Sequence, residues 1–249
     1  MDRPFAFAAG SADTALSGWQ PAGIALLVVS QSERLWSMNE WQSPEHAAAY
    51  LERADRLPHR SAGEAVLLDE IPNDSRRVLD LGSGDGRLLE LVLRGRPHAT
   101  GVALDFSPPM LDRLRTRFGP MSRAEIVHHN LAFPLPALGV FDAVVSSFAI
   151  HHLVHDRKRH LYQEIWDLLE PGGVFCNLEH VASSSPEAHQ RFLHAIGITP
   201  AEEDPSNKLL SVRTQLEWLR DIGFTDVDCY WKWRELALLV GRKMPETAA

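Results

Sequence analysis

Arg77-Val78-Leu79-Asp80-Leu81-Gly82-Ser83-Gly84-Asp85-Gly86 is the stretch on which the reading of this chain turns. Its first five residues form a short β-rich run and its last five a glycine loop. Leu88, Leu89, Leu91, Val92 and Leu93 then recur at helical spacing, so the whole reads as strand, tight loop, helix. Glycine lets the backbone turn sharply and lets a ligand approach the main chain. In an open parallel sheet, ligands sit beyond the carboxyl end of the strand that feeds such a loop.

Working outward, the same alternation repeats. Ala99 to Leu104 reads as a strand closed by Asp105. Met110, Leu114 and Phe118, with Leu111, mark one apolar helical stripe. Glu125–His128 is a third strand. Phe141–Phe148 is a fourth, its Ala-Val-Val suited to cover on both faces. A helix follows with Leu161, Ile165, Leu168 and Leu169 on one side. Pro171-Gly172-Gly173 is expected to end it and turn into the strand Val174–Leu178. A helix near Glu187–Ile196, another from Thr214 to Ile222 capped by Gly223, and strands near Val227–Trp233 and Leu236–Val240 complete the chain. Strands separated by helix-length segments imply right-handed crossovers and a doubly wound α/β sheet. The last two strands are too close in sequence to be parallel.

Upstream, Ser43-Pro44-Glu45-His46 reads as a helix start, with a serine N-cap and proline at the first position, running to about Leu57. A second helix covers Ala62–Glu70. Residues 1–37 are rich in Ala, Ser and Gly without a period. They are expected to be a leader, disordered or upstream of a true start at Met38. The expected organisation is thus a leader (1–37), N-terminal cap helices (38–71) and a main domain (72–249) with a cap insert (181–214).

Composition narrows the function. The 249 residues are 45% apolar and 23% charged, ordinary for one globular domain with a sizeable core. A formal charge of −8 repels phosphate backbones, which disfavours a nucleic-acid substrate. Trp218, Tyr230, Trp231 and Trp233 lack interleaved basic residues and read as packing groups, not a base-stacking surface. Cys176 and Cys229 sit in strand-like runs without metal-ligand spacing, so they read as thiols of a reducing cytoplasm. No run reaches the ~18–20 apolar residues of a membrane span. The Ala22–Val29 run lacks the basic flank of a secretory signal. A cytoplasmic protein with no membrane or metal partner is expected; its oligomeric state is not legible.

The loop spacing chooses between two ligands. A dinucleotide fingerprint needs a glycine where Arg87 stands. The carboxylates of Asp80 and Asp85 also disfavour a pyrophosphate, yet suit the ammonium of a methionine moiety. Asp105, nineteen residues past Gly86, can accept ribose hydroxyls. Val78–Gly86 resembles motif I of the class I S-adenosylmethionine (SAM)-dependent methyltransferases. Val102–Ser107 with Met110 resembles their second motif, and Leu169–Gly173 their late Pro-Gly-Gly turn. The resemblance spans roughly residues 72–243 and is to the bacterial small-molecule methyltransferases. It implies a Rossmann-like, seven-stranded, mostly parallel sheet with an antiparallel C-terminal strand and a helical cap. It implies that Gly82, Gly84 and Gly86 approach SAM, with Asp80 and Ser83 in the same loop. Asp105 would hold the ribose, Phe106 flank the adenine, and Asn130 and Leu131 face its edge. Many relatives carry aspartate where Asn130 stands. Ser147 and Phe148 would lie beneath the methionine part.

Methyl transfer needs alignment and desolvation, and a base only where the acceptor must lose a proton. Of twelve histidines, His151 and His152 follow the fourth strand, and Glu179 and His180 the fifth. His151 or His180 is the expected proton acceptor, with Glu179 orienting substrate or imidazole; packing or backbone hydrogen bonding is the alternative for each histidine. Tyr50 and Arg60 could reach the cofactor from the cap, but solvated or packing roles are the preferred reading for each. The function expected is methyl transfer to a small molecule. The alternatives are another SAM-using chemistry or a SAM-binding regulatory protein without turnover.

Overall fold

The computed structural model describes residues 43–44, 57–119 and 123–245. The leader at 1–37, most of the first expected helix, and Tyr50 lie outside the described residues. The chain divides after Asn39, and every described residue belongs to the unit Glu40–Ala249.

Seven strands form one sheet: β1 (Arg77–Leu81), β2 (Thr100–Asp105), β3 (Ala124–His128), β4 (Phe141–Ser147), β5 (Leu169–His180), β6 (Thr225–Trp233) and β7 (Leu236–Arg242). Their order is β3-β2-β1-β4-β5-β7-β6. The first five pair in parallel, and β7 runs antiparallel to both β5 and β6. Strand order reverses between β1 and β4, so their carboxyl ends flank the switch point where such sheets bind ligands.

Among the described residues six α-helices cover the sheet: α1 (Arg60–Glu70), α2 (Arg87–Gly95), α3 (Pro108–Phe118), α4 (His155–Leu168), α5 (Pro186–Ile196) and α6 (Val212–Ile222). Alternate strand residues feed two cores. Val78, Ala103, Val145, Cys176 and Val240 pack with Leu67, Leu89, Leu114 and Phe192 from α1, α2, α3 and α5. Leu79, Leu104, Val144, Phe175 and Leu239 pack with Leu161, Ile165, Leu216 and Leu219 from α4 and α6. Trp218, Trp231 and Trp233 pack against these cores as expected. Tyr230 does not: it is exposed, at the register shift between Cys229 and Trp231 on the edge strand β6. No helix among the described residues is long and apolar enough to cross a membrane.

The Pro-Gly-Gly segment departs from its expected role. Helix α4 stops at Leu168, and Leu169 already pairs with Phe141 as the first residue of β5. The register then jumps to Ala143 opposite Val174, so Glu170–Gly173 bulge out within the strand. Gly172 takes φ 87°, and the Gly172 and Lys243 N–H groups exchange hydrogen bonds with Lys243 and Gly173 carbonyls. Glycine permits the bulge and the neighbouring edge keeps its backbone satisfied.

Helix α1 lies on the sheet. Leu67 is fully buried, and a Cβ at Gly63 would meet Leu178 and Trp231 at 2.8–2.9 Å. Its carbonyl end is held by the buried guanidinium of Arg96, which donates to Leu68 and Pro72 carbonyls at 2.9 and 3.0 Å and to that of Ile71. Helix ends leave such carbonyls unpaired, and a cation there also meets the negative end of the helix dipole. Replacing Arg96 with methionine should lower unfolding free energy by about 2–3 kcal/mol, since charged hydrogen bonds are lost and carbonyls stay buried. A urea titration with an unchanged slope and an unchanged midpoint would refute this.

Candidate active site

The loop between β1 and α2 is fixed by its neighbours. Gly82 and Ser83 N–H groups both donate to the Leu104 carbonyl, at 2.8 and 3.0 Å. The Ser83 hydroxyl donates to the Asp80 carbonyl at 2.8 Å and accepts the Leu104 N–H at 3.0 Å. Ser83 therefore stitches β1 to β2, and its hydroxyl proton is already committed. Gly84 donates its N–H to Asp105 at 2.8 Å, tying the loop crest to the tip of β2.

The three glycines answer three different constraints, all at positive φ. A Cβ at residue 82 would fall 2.3 Å from that of Ala149. At Gly86 it would press on Leu114 and Phe118 of α3, both at 2.7 Å. Gly84 faces open space. Of the three, Gly84 alone has room at its Cβ position for a ligand.

The carboxylates divide likewise. Asp85, expected to face the ligand with Asp80, is instead ion-paired with Arg117 of α3 and accepts the Arg87 N–H. Arg87 itself forks onto the buried Glu64 of α1, at 2.6 and 3.1 Å. Arg60 also binds Glu64, at 2.9 Å, and lies 5.7 Å from the centre of the Phe148 ring. Asp80 stays within the site. It is buried, and its Oδ2 has no hydrogen-bond partner among the described residues. Burial pushes its pKa up to about 7, with Asp105 adding repulsion. Asp105 accepts N–H groups from Gly84 and Ser107, each at 2.8 Å. Its pKa still rises to about 6, because burial outweighs those bonds.

Phe106 is half-buried beside Asp105, and Leu131 is buried, lying 3.7 Å from where a Cβ of residue 82 would be. Asn130 turns its Oδ1 onto the Ala132 N–H at 2.9 Å. The Ser147 hydroxyl, at the tip of β4, is buried without a partner among the described residues. Phe148 follows it at φ 53°, an uncommon conformation for a bulky residue, anchored by its N–H to the Leu178 carbonyl at 2.8 Å.

The ends of β4, β5 and β7 bring the histidines together. His151 Nδ1 lies 2.7 Å from Glu179, both side chains buried. The rings of His151 and His152 are 4.0 Å apart, and those of His151 and His180 5.6 Å, edge to face. Burial drives His151 well below its ordinary pKa, helped by His180 and Lys158, and drives His152 down as well. Glu179 rises for the same reason, although Lys158, the His180 N–H and the Asn177 amide oppose it. Both shifts favour a neutral imidazole; with Nδ1–H donated to Glu179, Nε2 would keep its lone pair.

A second pair was not legible in the sequence. His180 Nε2 meets Glu235 at 2.9 Å, and Glu235 also takes Ser183 and, at 3.0 Å, His189. Burial works to raise Glu235, but these hydrogen bonds outweigh it and keep the carboxyl below its usual range. Glu235 occupies the two-residue turn between β6 and β7, a position that carries no signal until the hairpin folds its side chain inward. Among the described residues, no three His, Cys, Asp or Glu side chains are arranged to hold a metal ion.

These groups border a cavity of about 310 Å³. Phe148, Phe192, Leu193 and Ile196 supply apolar wall; His151, His152 and His180 also line it.

A family profile describing a methyltransferase domain matches residues 78–173. A demethylmenaquinone methyltransferase of Clavibacter sepedonicus is 30% identical over 183 residues, covering 63% of this chain and 69% of that protein. An uncharacterized methyltransferase of Mycobacterium tuberculosis is 34% identical over 121 residues, 49% of this chain. The match spans 59% of that relative's length. An O-methyltransferase family protein from Burkholderia thailandensis superposes with a TM-score of 0.64 at 21% identity, covering 88% of this chain and 64% of that one.

The raised pKa of Asp80 has a measurable consequence. The folded state holds this proton more tightly than the unfolded one, so the group's contribution to stability falls as pH rises from 3.8 to about 7. Asp80→Asn should therefore melt higher than the parent protein at pH 8, the difference shrinking by pH 5. A variant that melts lower at pH 8 would show that the carboxylate is satisfied.

Proposed function

The chain belongs to the class I SAM-dependent methyltransferase family, and from that premise we propose that it transfers the methyl group of SAM to a small-molecule acceptor. The observation that carries this reading is the buried, unpartnered oxygen of Asp80 beside the open Cβ position of Gly84. A buried carboxylate lacking a donor is costly, and an ammonium such as that of a methionine moiety relieves the cost. Asp105 keeps lone pairs for two ribose hydroxyls after accepting Gly84 and Ser107. Phe106 would flank the adenine, with Asn130 and Leu131 at its edge; Asn130 Oδ1 has one lone pair left after Ala132. The unpartnered Ser147 hydroxyl would lie beneath the methionine part.

Bound there, SAM supplies an electrophilic methyl carbon on a sulfonium sulfur. The chain's own residues align the acceptor and exclude water, which the apolar cavity walls are suited to do. His151, oriented through Nδ1 by Glu179, takes the acceptor's proton at Nε2. His180, held by Glu235, lies edge-on to it and borders the same cavity.

Isothermal titration should show saturable SAM binding and no response to NAD. A folded protein that binds neither, or only NAD, would sink the cofactor assignment. S-adenosylhomocysteine as product would mark methyl transfer; methylthioadenosine would mark chemistry on the aminobutyrate part. His151→Ala should lower kcat by about 10²–10⁴-fold, as loss of a general base does, while leaving SAM affinity within about two-fold. Undiminished turnover would remove His151 from proton transfer.

A further inference from the structure

The cavity beside the histidines is apolar along its walls and acidic where the 202–204 loop meets it. Leu57, Phe148, Phe192, Leu193, Ile196 and Leu236 face it with hydrocarbon, whereas Glu202, Glu203 and Asp204 bring three carboxylates. Each carboxylate has a polar partner that fixes its place. Thr199 donates its N–H and hydroxyl to Glu202 at 2.8 and 2.7 Å. The Ser206 N–H donates to Asp204 at 2.8 Å, and His189 sits 3.1 Å from Glu203.

Positive charge balances them only in part: hydrogen bonds to Glu235 and Glu203 outweigh burial and raise the pKa of His189, which pairs with Glu203. Among the described residues that line the cavity there is no lysine or arginine. Of the nearby cations, Arg60 is paired with Glu64, whereas Lys158 and Lys208 keep their charge behind the lining, bound to the Lys208 carbonyl and, at 3.2 Å, the Ser206 carbonyl. His151 and His152 are kept neutral by burial, so they add donors and acceptors but no charge at neutral pH. An anionic group entering this space would shed its hydration and meet three lining carboxylates with no lysine or arginine beside it among the described lining residues. A cationic group would keep its apolar body against the walls and gain attraction at the mouth.

We propose that the acceptor is an apolar small molecule without an anionic group, and that on one apolar body an amine is bound in preference to a hydroxyl, and a hydroxyl to a carboxylate. The word acceptor rests on the methyltransferase reading; the charge preference rests on the cavity alone. In the transfer, an ammonium acceptor first gives a proton to the neutral imidazole of His151, the nitrogen lone pair so freed forms the bond to the methyl carbon, and the carbon–sulfur pair stays with sulfur. A hydroxyl gives up its proton to the same imidazole as its oxygen bonds the methyl carbon.

The test titrates the full chain, saturated with S-adenosylhomocysteine, with 2-phenylethylamine, 2-phenylethanol and phenylacetate, followed by ligand-observed NMR. The amine should bind at least about ten-fold more tightly than phenylacetate, with the alcohol between. Asp204→Asn retains an acceptor for the Ser206 N–H while removing the charge. It should narrow the gap between amine and carboxylate several-fold and leave the alcohol nearly unchanged. Phenylacetate binding as tightly as the amine, or none of the three binding, overturns the proposal. If S-adenosylhomocysteine fails to bind but the amine preference persists in the protein alone, the cofactor reading falls and the cavity inference stands.

Discussion

The tips of β1 and β4 come so close that residue 82 has no room for a side chain, its would-be Cβ lying 2.3 Å from Ala149. The remaining contacts of the switch point are arranged around that approach. Ser146 donates its hydroxyl to the Leu81 carbonyl at 2.8 Å, joining β4 to β1, as Ser83 joins β1 to β2. The chain leaves β4 through the left-handed turn at Phe148, whose ring then borders the cavity. Strain at Phe148 and the substitution-intolerant Gly82 are thus two sides of one packing problem, and both sit where the ligand would.

Buried carboxylates dominate the electrostatics, and the donors around each one separate its roles. Glu64 receives Arg60 and Arg87, and Glu235 receives His180, Ser183 and His189. Those two are satisfied within the fold and hold elements together. Asp80 has an oxygen with nothing to accept, and burial holds its pKa high. A folded chain tolerates such a group only if a ligand completes it or stability is given up for the site. Glu179 stands between these cases, with donors from His151, His180 and Asn177 yet still pushed upward by burial.

Two histidine–carboxylate pairs therefore border one cavity, but they differ in character. His151–Glu179 is sealed within the protein, and its imidazole is held neutral. His180–Glu235 continues through His189 to Glu203 on the acidic loop. That chain of hydrogen bonds couples the β6–β7 hairpin to α5 and to the cavity mouth, so the position of the acidic loop depends on the same carboxylate that orients His180.

What the sequence determined was local. Strands β1 and β4 were legible because apolar runs covered on both faces leave little choice of partner, and the glycine loop because positive φ is nearly closed to other residues. Asp105 at the end of β2 and the histidines after β4 and β5 were visible as polar residues where strands stop. The β6–β7 hairpin followed from the shortness of its connection. Tertiary structure alone decided the rest. Asp85 looked like half of a ligand-facing acidic pair until Arg117, 32 residues away, claimed it, and the bar to a side chain at Gly86 comes from α3 packed against it. Glu235 gained a role only when the hairpin brought it to His180, 55 residues earlier. The Pro-Gly-Gly segment reads as a turn in isolation and becomes a bulge because Phe141 and Lys243 supply hydrogen-bonding edges. Periodicity and backbone permissiveness are properties of a few adjacent residues. Which buried charge finds a partner, and which is left to meet a ligand, depends on residues that only folding brings within 3 Å or so.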